Sequence, residues 1–232
     1  MNILALDTAD QVLSAALETG NGIFYTETDA GARHSELLME CADGLCKTAG
    51  LNPADIGLAA CMKGPGSFTG LRIGFSAAKG LCLALGIPLL AVPTLDCLAY
   101  PFSEWPGLVL PAIDAKKGCF FAALYRGGTR LTDDMDATPE ILARETARVR
   151  LSAEELLLLT GSGAELLGSR LAALIPPEYT RFDPEPRRGK ARELLEIVKN
   201  GIIIEYDKFS DINGINTGPV YLRKSDAELN WN

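Results

Sequence analysis

The residues best suited to chemistry form one stretch, Lys63-Gly-Pro-Gly-Ser-Phe-Thr-Gly-Leu-Arg72. Three glycines and a proline within eight residues set a backbone path that bulkier residues could not follow. The stretch follows an apolar run and opens a helical one. Free N–H groups therefore gather at a helix start that Ser67 or Thr69 is placed to cap. Such a start attracts phosphate or carboxylate, so an anion site on Gly64, Gly66 and Ser67 is the expectation. The spacing fits neither common phosphate loop, because Thr69 stands where a Walker A loop and a G-x-G-x-x-G fingerprint each need glycine. Asp7-Thr8, which closes the first apolar run, Asp114, which closes a later one, and the turn Thr160-Gly-Ser-Gly163 could also face a nucleotide. Metal and nucleophilic chemistry find less support. The single histidine, His34, has Leu38 four residues on, so no His-x-x-x-His pair exists and a Ser-His-Asp triad has no G-x-S-x-G elbow. His34 at a helix start reads as a cap or interface residue.

Residues 2–6, 12–18 and 23–28 have the pattern of a three-stranded antiparallel meander, with turns at Asp7-Thr-Ala-Asp10 and Gly20-Asn-Gly22. A helix over 34–49 follows, with Leu38, Cys41, Ala42, Leu45 and Ala49 on its apolar face. Then come a helical turn at 52–55, a strand over 57–62, the glycine loop, and a helix over 70–85 that Gly86 and Pro88 end. On that helix Gly70, Gly74, Ala78 and Cys82 draw a stripe of small residues, open either to the chain's own sheet or to a partner helix. Arg72 and Lys79 interrupt its apolar run, which argues against a membrane span. A strand over 88–92 and a short helix capped by Thr94 complete the first half.

A boundary falls near Tyr100–Gly107, dividing the chain into 1–103 and 104–232. The pattern then begins again: a strand over 108–113, a turn at 114–118, an antiparallel mate over 119–125 and a third edge segment after Gly127-Gly128. Helices over 139–148, 164–174 and 190–201 and a strand over 156–159 follow, and the tail from Tyr206 is weakly patterned. Two β-β-β-α-β-α units, each opening with a strand that ends in aspartate, point to a two-lobed actin-like ATPase architecture with a reduced second lobe.

The composition narrows the partners. A net charge of −8 disfavours an autonomous grip on a nucleic-acid backbone, and the only basic cluster is Arg187, Arg188, Lys190 and Arg192. That cluster reads as a solvated helix start. The six cysteines, at 41, 46, 61, 82, 97 and 119, form no C-x-x-C and read as reduced, buried thiols of a cytoplasmic protein.

Nearly the whole chain resembles the bacterial TsaB (YeaZ) family. The resemblance rests on residues 2–8, His34-Ser-Glu-Leu-Leu38, Gly64 to Arg72, Pro93-Thr-Leu-Asp96, Ile113-Asp-Ala115 and Tyr221-Leu-Arg-Lys224. It implies a non-catalytic subunit of the system that places threonylcarbamoyl on adenosine 37 of tRNAs reading ANN codons. The partners it implies are the catalytic paralogue TsaD and the ATPase TsaE, with a homodimer when alone and tRNA reached through the complex. The docking face it implies joins His34, Leu37, Leu38 and Cys41 of the first helix to Gly70, Arg72, Gly74 and Ala78 of the glycine-loop helix. No cofactor of its own is implied; ATP or ADP lies at the contact with the partners, and Asp7, Thr8, Gly64, Gly66 and Ser67 are its candidate contacts. Ala9 departs from nucleotide-binding relatives, which often carry serine there. The competing reading is a small-molecule kinase or ATPase of the same architecture, with Asp7 or Asp114 as its carboxylate.

Overall fold

A computed structural model describes residues 1–185, 188–201 and 218–223. Arg187, most of the tail and Lys224 of the C-terminal motif lie outside the described residues. The chain forms two compact units, Met1–Cys97 with Arg188–Val220, and Leu98–Arg187 with Tyr221–Asn232.

The first unit opens with the expected meander, β1 (Asn2–Asp7), β2 (Val12–Thr19) and β3 (Gly22–Asp29). Helix α1 (His34–Ala49), a 3-10 turn (Pro53–Asp55), β4 (Ile56–Gly64), α2 (Phe68–Leu85) and β5 (Leu89–Pro93) follow. The sheet order is β3-β2-β1-β4-β5, with β1, β4 and β5 parallel and the meander antiparallel. Leu13, Ala15 and Leu17 of β2 face α1 and α2 in one apolar core with Leu4, Leu6 and Phe75. At 18 residues α2 is long and apolar enough to cross a membrane by length and composition. It packs instead against β4, and its buried residues Phe75, Ala78 and Cys82 help to form this core. Helix α3 (Thr94–Ala99) carries the chain across the division. Thr94 starts it but caps nothing, since its buried hydroxyl has no hydrogen-bond partner.

The second unit repeats the plan with shorter parts: β6 (Leu108–Asp114), β7 (Phe120–Ala122), β8 (Tyr125–Arg126), β9 (Thr129–Arg130), β10 (Met135–Ala137), α4 (Pro139–Val149), β11 (Leu157–Thr160), α5 (Ala164–Leu171) and β12 (Thr180–Phe182). Its main path is β10-β7-β6-β11-β12, again with the first strand central, two antiparallel strands to one side and two parallel strands to the other. The single mate expected over 119–125 is broken into β7 and β8, which both pair with β6. Strand β12 carries no run long enough to have been read from sequence.

Helix α6 (Ala191–Lys199) departs most from expectation. It follows the second unit in sequence but packs on β1, β2 and β4 of the first. Two separate segments therefore make up the first unit, rather than one cut at 103/104. Side chains alternate across a strand, so Ser14, which meets α6, lies on the sheet face opposite Leu13 and Ala15. Leu194, Leu195 and Ile197 bury the apolar side of α6 there.

Candidate functional site

The residues singled out for chemistry converge on the β1–β2 turn of the first unit. Asp7 ends β1 as a nearly buried carboxylate, 5% exposed. One of its oxygens accepts the Ala9 N–H at 3.0 Å; the other accepts the Lys190 N–H at 2.8 Å and the Ser14 hydroxyl at 3.4 Å. Thr8 donates its hydroxyl to the Gly70 carbonyl at 2.7 Å, and the Ala9 carbonyl accepts the Ser67 N–H at 2.7 Å. His34 is buried, and its Nε2 lies 2.8 Å from the Asp10 carbonyl. The turn is thus held from three sides by α1, α2 and the start of α6.

This arrangement explains the glycines. A Cβ at Gly66 would stand 2.5 Å from the Ala9 carbonyl oxygen, one at Gly70 would overlap the Thr8 carbonyl, and one at Gly74 the Thr8 hydroxyl. At Gly64, φ is +109° and a Cβ would meet the Val220 carbonyl at 2.5 Å, where the Val220 N–H bonds Lys63. Ser67 caps α2 by accepting the Gly70 N–H at 3.2 Å. The glycine loop thus packs directly on the chain's own turn, with the Ser67 N–H spent on the Ala9 carbonyl. Both carboxylate oxygens of Asp7 accept hydrogen bonds from within the unit.

Burial pushes the Asp7 carboxyl above its ordinary value despite these donors, and the nearby Asp10 charge adds to the rise. Lys190, also buried, has its ammonium 3.8 Å from Glu193. Of the remaining basic cluster, Arg188 pairs with Glu27 at 3.4 Å and Arg192 lies over the Tyr25 ring at 5.2 Å. The cluster is therefore not wholly the solvated helix start expected from sequence: Arg188 and Arg192 are exposed, but Lys190 is buried against the first unit's sheet. Among the described residues no group of three or more His, Cys, Asp or Glu side chains is placed to hold a metal. All six cysteines are free thiols; Cys41 and Cys119 are only half-buried.

The expected docking residues divide in two. His34, Leu38, Gly70, Gly74 and Ala78 are buried in the unit, because the small-residue stripe of α2 faces β1 and its turn rather than solvent. Leu37 and Cys41 are half-buried, and only Arg72 is fully on the surface, its guanidinium 3.8 Å from the Phe68 ring centre. Sequence reading missed a second stripe. Thr69, Ile73, Ser76, Ala77, Gly80, Leu83 and Ala84 form an uncharged outward stripe on α2, bordered by Arg72 and Lys79, with Leu83 63% exposed and Gly80 open above its backbone. Buried and exposed small residues share one spacing on a helix, so periodicity alone could not say which stripe met solvent.

The second unit carries the counterpart of each feature. Asp114 ends β6 and accepts the backbone N–H and the ammonium of Lys116, each at 2.8 Å. Burial raises its carboxyl, but Lys116 and the charge of Arg170 outweigh that and hold it below the usual value. Gly161 and Gly163 pack on the β6 end, where a Cβ at Gly163 would lie 2.9 Å from the Asp114 nitrogen. Thr160 donates to the buried Asp183 at 2.6 Å. Arg223 of the C-terminal motif grips Asp136 with two nitrogens, at 2.8 and 2.6 Å, and donates to the Ala115 carbonyl.

Residues 18–157 match the model of the family described as TsaD, tRNA N6-adenosine threonylcarbamoyltransferase. The tRNA threonylcarbamoyladenosine biosynthesis protein TsaB of Escherichia coli is 32% identical over 69% of this chain and 72% of its own length. The protein of the same name from Bacillus subtilis is 26% identical over 100% of this chain and 98% of its own. The solved YeaZ of Pseudomonas aeruginosa superposes with a TM-score of 0.75 at 24% identity, covering 95% of this chain and 99% of that one. With a glycine loop closed on its own β1–β2 turn and two units of one strand order, the chain belongs to the TsaB/YeaZ family.

Proposed function

We propose that the chain serves tRNA threonylcarbamoyladenosine biosynthesis as a non-catalytic subunit, and that it works by binding a TsaD-type paralogue. The observation that carries this reading is the contrast on α2. Its chemistry-bearing face is closed against Thr8 and Ala9, while the outward stripe around Ala77, Gly80 and Leu83 is uncharged, with the exposed Arg72 at its border. Small side chains let a second helix approach closely, and an uncharged helical ridge on an acidic protein suits a protein partner. Helix α1, which packs beside α2 and exposes Met39, extends the face. The same ridge serves a homodimer when the paralogue is absent, so the two assemblies exclude each other. TsaE and tRNA join through the complex.

The chain holds no nucleotide of its own in this reading, because the Asp7 carboxylate and the glycine loop are engaged inside the first unit; ATP or ADP binds where the partners meet. The test is co-elution of the purified chain with its TsaD paralogue in size-exclusion chromatography, followed by tRNA modification with each chain alone and both together. Modification that needs both chains supports the proposal. Turnover of ATP or modification of tRNA by this chain alone would place it with the kinases and ATPases instead.

A further inference from the structure

We propose that α6 is a strap that opens from the first unit's sheet as a unit of its own, with Asp7 and Ser14 setting how often it does so. Nine residues are too few to hold a helix in water unaided. The N-terminus of α6 also lacks a cap from its own sequence, since Lys190 occupies the N-cap position without a side-chain bond. The cap comes from elsewhere in the fold. Asp7 of β1 accepts the Lys190 N–H at 2.8 Å, and the Ser14 hydroxyl of β2 accepts the Ala191 N–H at 3.0 Å. A carboxylate against a helix N-terminus also meets the positive end of the helix dipole. Just ahead, the Tyr25 hydroxyl donates to the Gly189 carbonyl at 3.0 Å and Glu27 accepts the Gly189 N–H at 3.1 Å. Only glycine fits there, because a Cβ at 189 would overlap the Ser14 side chain.

The other end is held more lightly. Lys199 pairs with Glu18 at 2.6 Å, with the lysine side chain 44% exposed. Along the strap, Glu18 and Glu193 each bury one carboxylate oxygen with no donor, an unfavourable residue of seating α6 that unseating would relieve. The helix is therefore fixed by a polar cluster at one end and four buried apolar residues, Ala191, Leu194, Leu195 and Ile197. That is the profile of a local opening unit with a free energy below that of global unfolding. While seated, α6 keeps the Asp7 carboxylate occupied, so any other donor must compete with the chain's own helix.

Hydrogen exchange of the full chain, read by peptide mass, tests this. Amides of residues 191–199 should exchange faster than those of β1 and β4. Ser14→Ala should speed them roughly 3- to 30-fold, the range for losing a helix cap, with α2 unchanged. Gly189→Ala, which displaces Ser14, should do the same by a second route. The strap is overturned if α6 exchanges in step with β1 and β4 in the unaltered chain, if Ser14→Ala leaves α6 unchanged, or if it speeds all elements alike.

Discussion

The two units share one strand order and differ in what they do with it. In the first, strands of five to nine residues support an 18-residue α2, and the aspartate ending the central strand is buried under backbone donors. In the second, the corresponding helix α5 has eight residues, and the corresponding Asp114 stays partly exposed beside a lysine. Helix α5 exposes Glu165, Leu166, Ser169 and Arg170, two of the four charged, whereas α2 exposes Thr69, Arg72, Ser76, Gly80, Leu83 and Ala84, with Arg72 its one charge. A duplicated architecture has thus been elaborated asymmetrically: the first unit has closed its chemical face and left an uncharged helical ridge, and the second has kept an ordinary polar surface.

The largest effect expected from this contrast lies in the glycines. Gly70→Ala drives a methyl into the Thr8 carbonyl and should lower stability by about 3 kcal/mol or more, whereas Gly163→Ala, at a looser contact, should cost about 1 to 2 kcal/mol. Urea denaturation of both variants reads the difference. Equal costs would mean that the two glycine loops are packed alike.

Much of this was legible in the sequence. Apolar runs punctuated by turn residues marked the meander over 2–28, the 34–49 helix spans the residues expected of it, and the repeated strand-aspartate pattern at Asp7 and Asp114 marked the duplication. The interface was harder to read. Gly70, Gly74 and Ala78 looked like a docking stripe because sequence shows spacing but not which side faces the sheet; that depends on Thr8, 62 residues from Gly70. Nor could local pattern reveal that α6 returns to the first unit, since its cap residues Asp7 and Ser14 lie 183 and 177 residues away.

Titration should separate the two aspartates by sign. The native pKa of Asp7 lies above the ordinary 3.8, so the stability linked to it is fully present below 3.8 and is lost as pH rises through the raised native value. The Asp10 charge adds to the rise, and the backbone N–H groups of Lys190 and Ala9 and the Ser14 hydroxyl oppose it. The native pKa of Asp114 lies below 3.8, so its contribution is present above 3.8 and is lost as pH falls through the lowered native value. Stability measured against pH in Asp7→Asn and Asp114→Asn should lose slopes of opposite sign. Slopes of one sign would contradict the difference between the sites.

The smallest effect concerns the open ridge. Gly80 has no neighbour within 4 Å of where a Cβ would stand, so Gly80→Ala should stabilise the isolated chain by up to about 1 kcal/mol through helix propensity alone. Thermal unfolding measures it, and destabilisation would mean that the ridge is covered within the chain.

The central claim is that this ridge, and not the buried stripe, meets the paralogue. Its most direct test is the affinity of the TsaD paralogue for Gly80→Arg, measured by titration calorimetry beside a thermal melt of the variant. The account predicts a melt close to that of the unaltered chain, because the added side chain enters solvent, together with loss of binding by 100-fold or more, on the order of the 3 kcal/mol expected when a charge is forced into a close helix contact. Undiminished binding by a folded Gly80→Arg chain would contradict it.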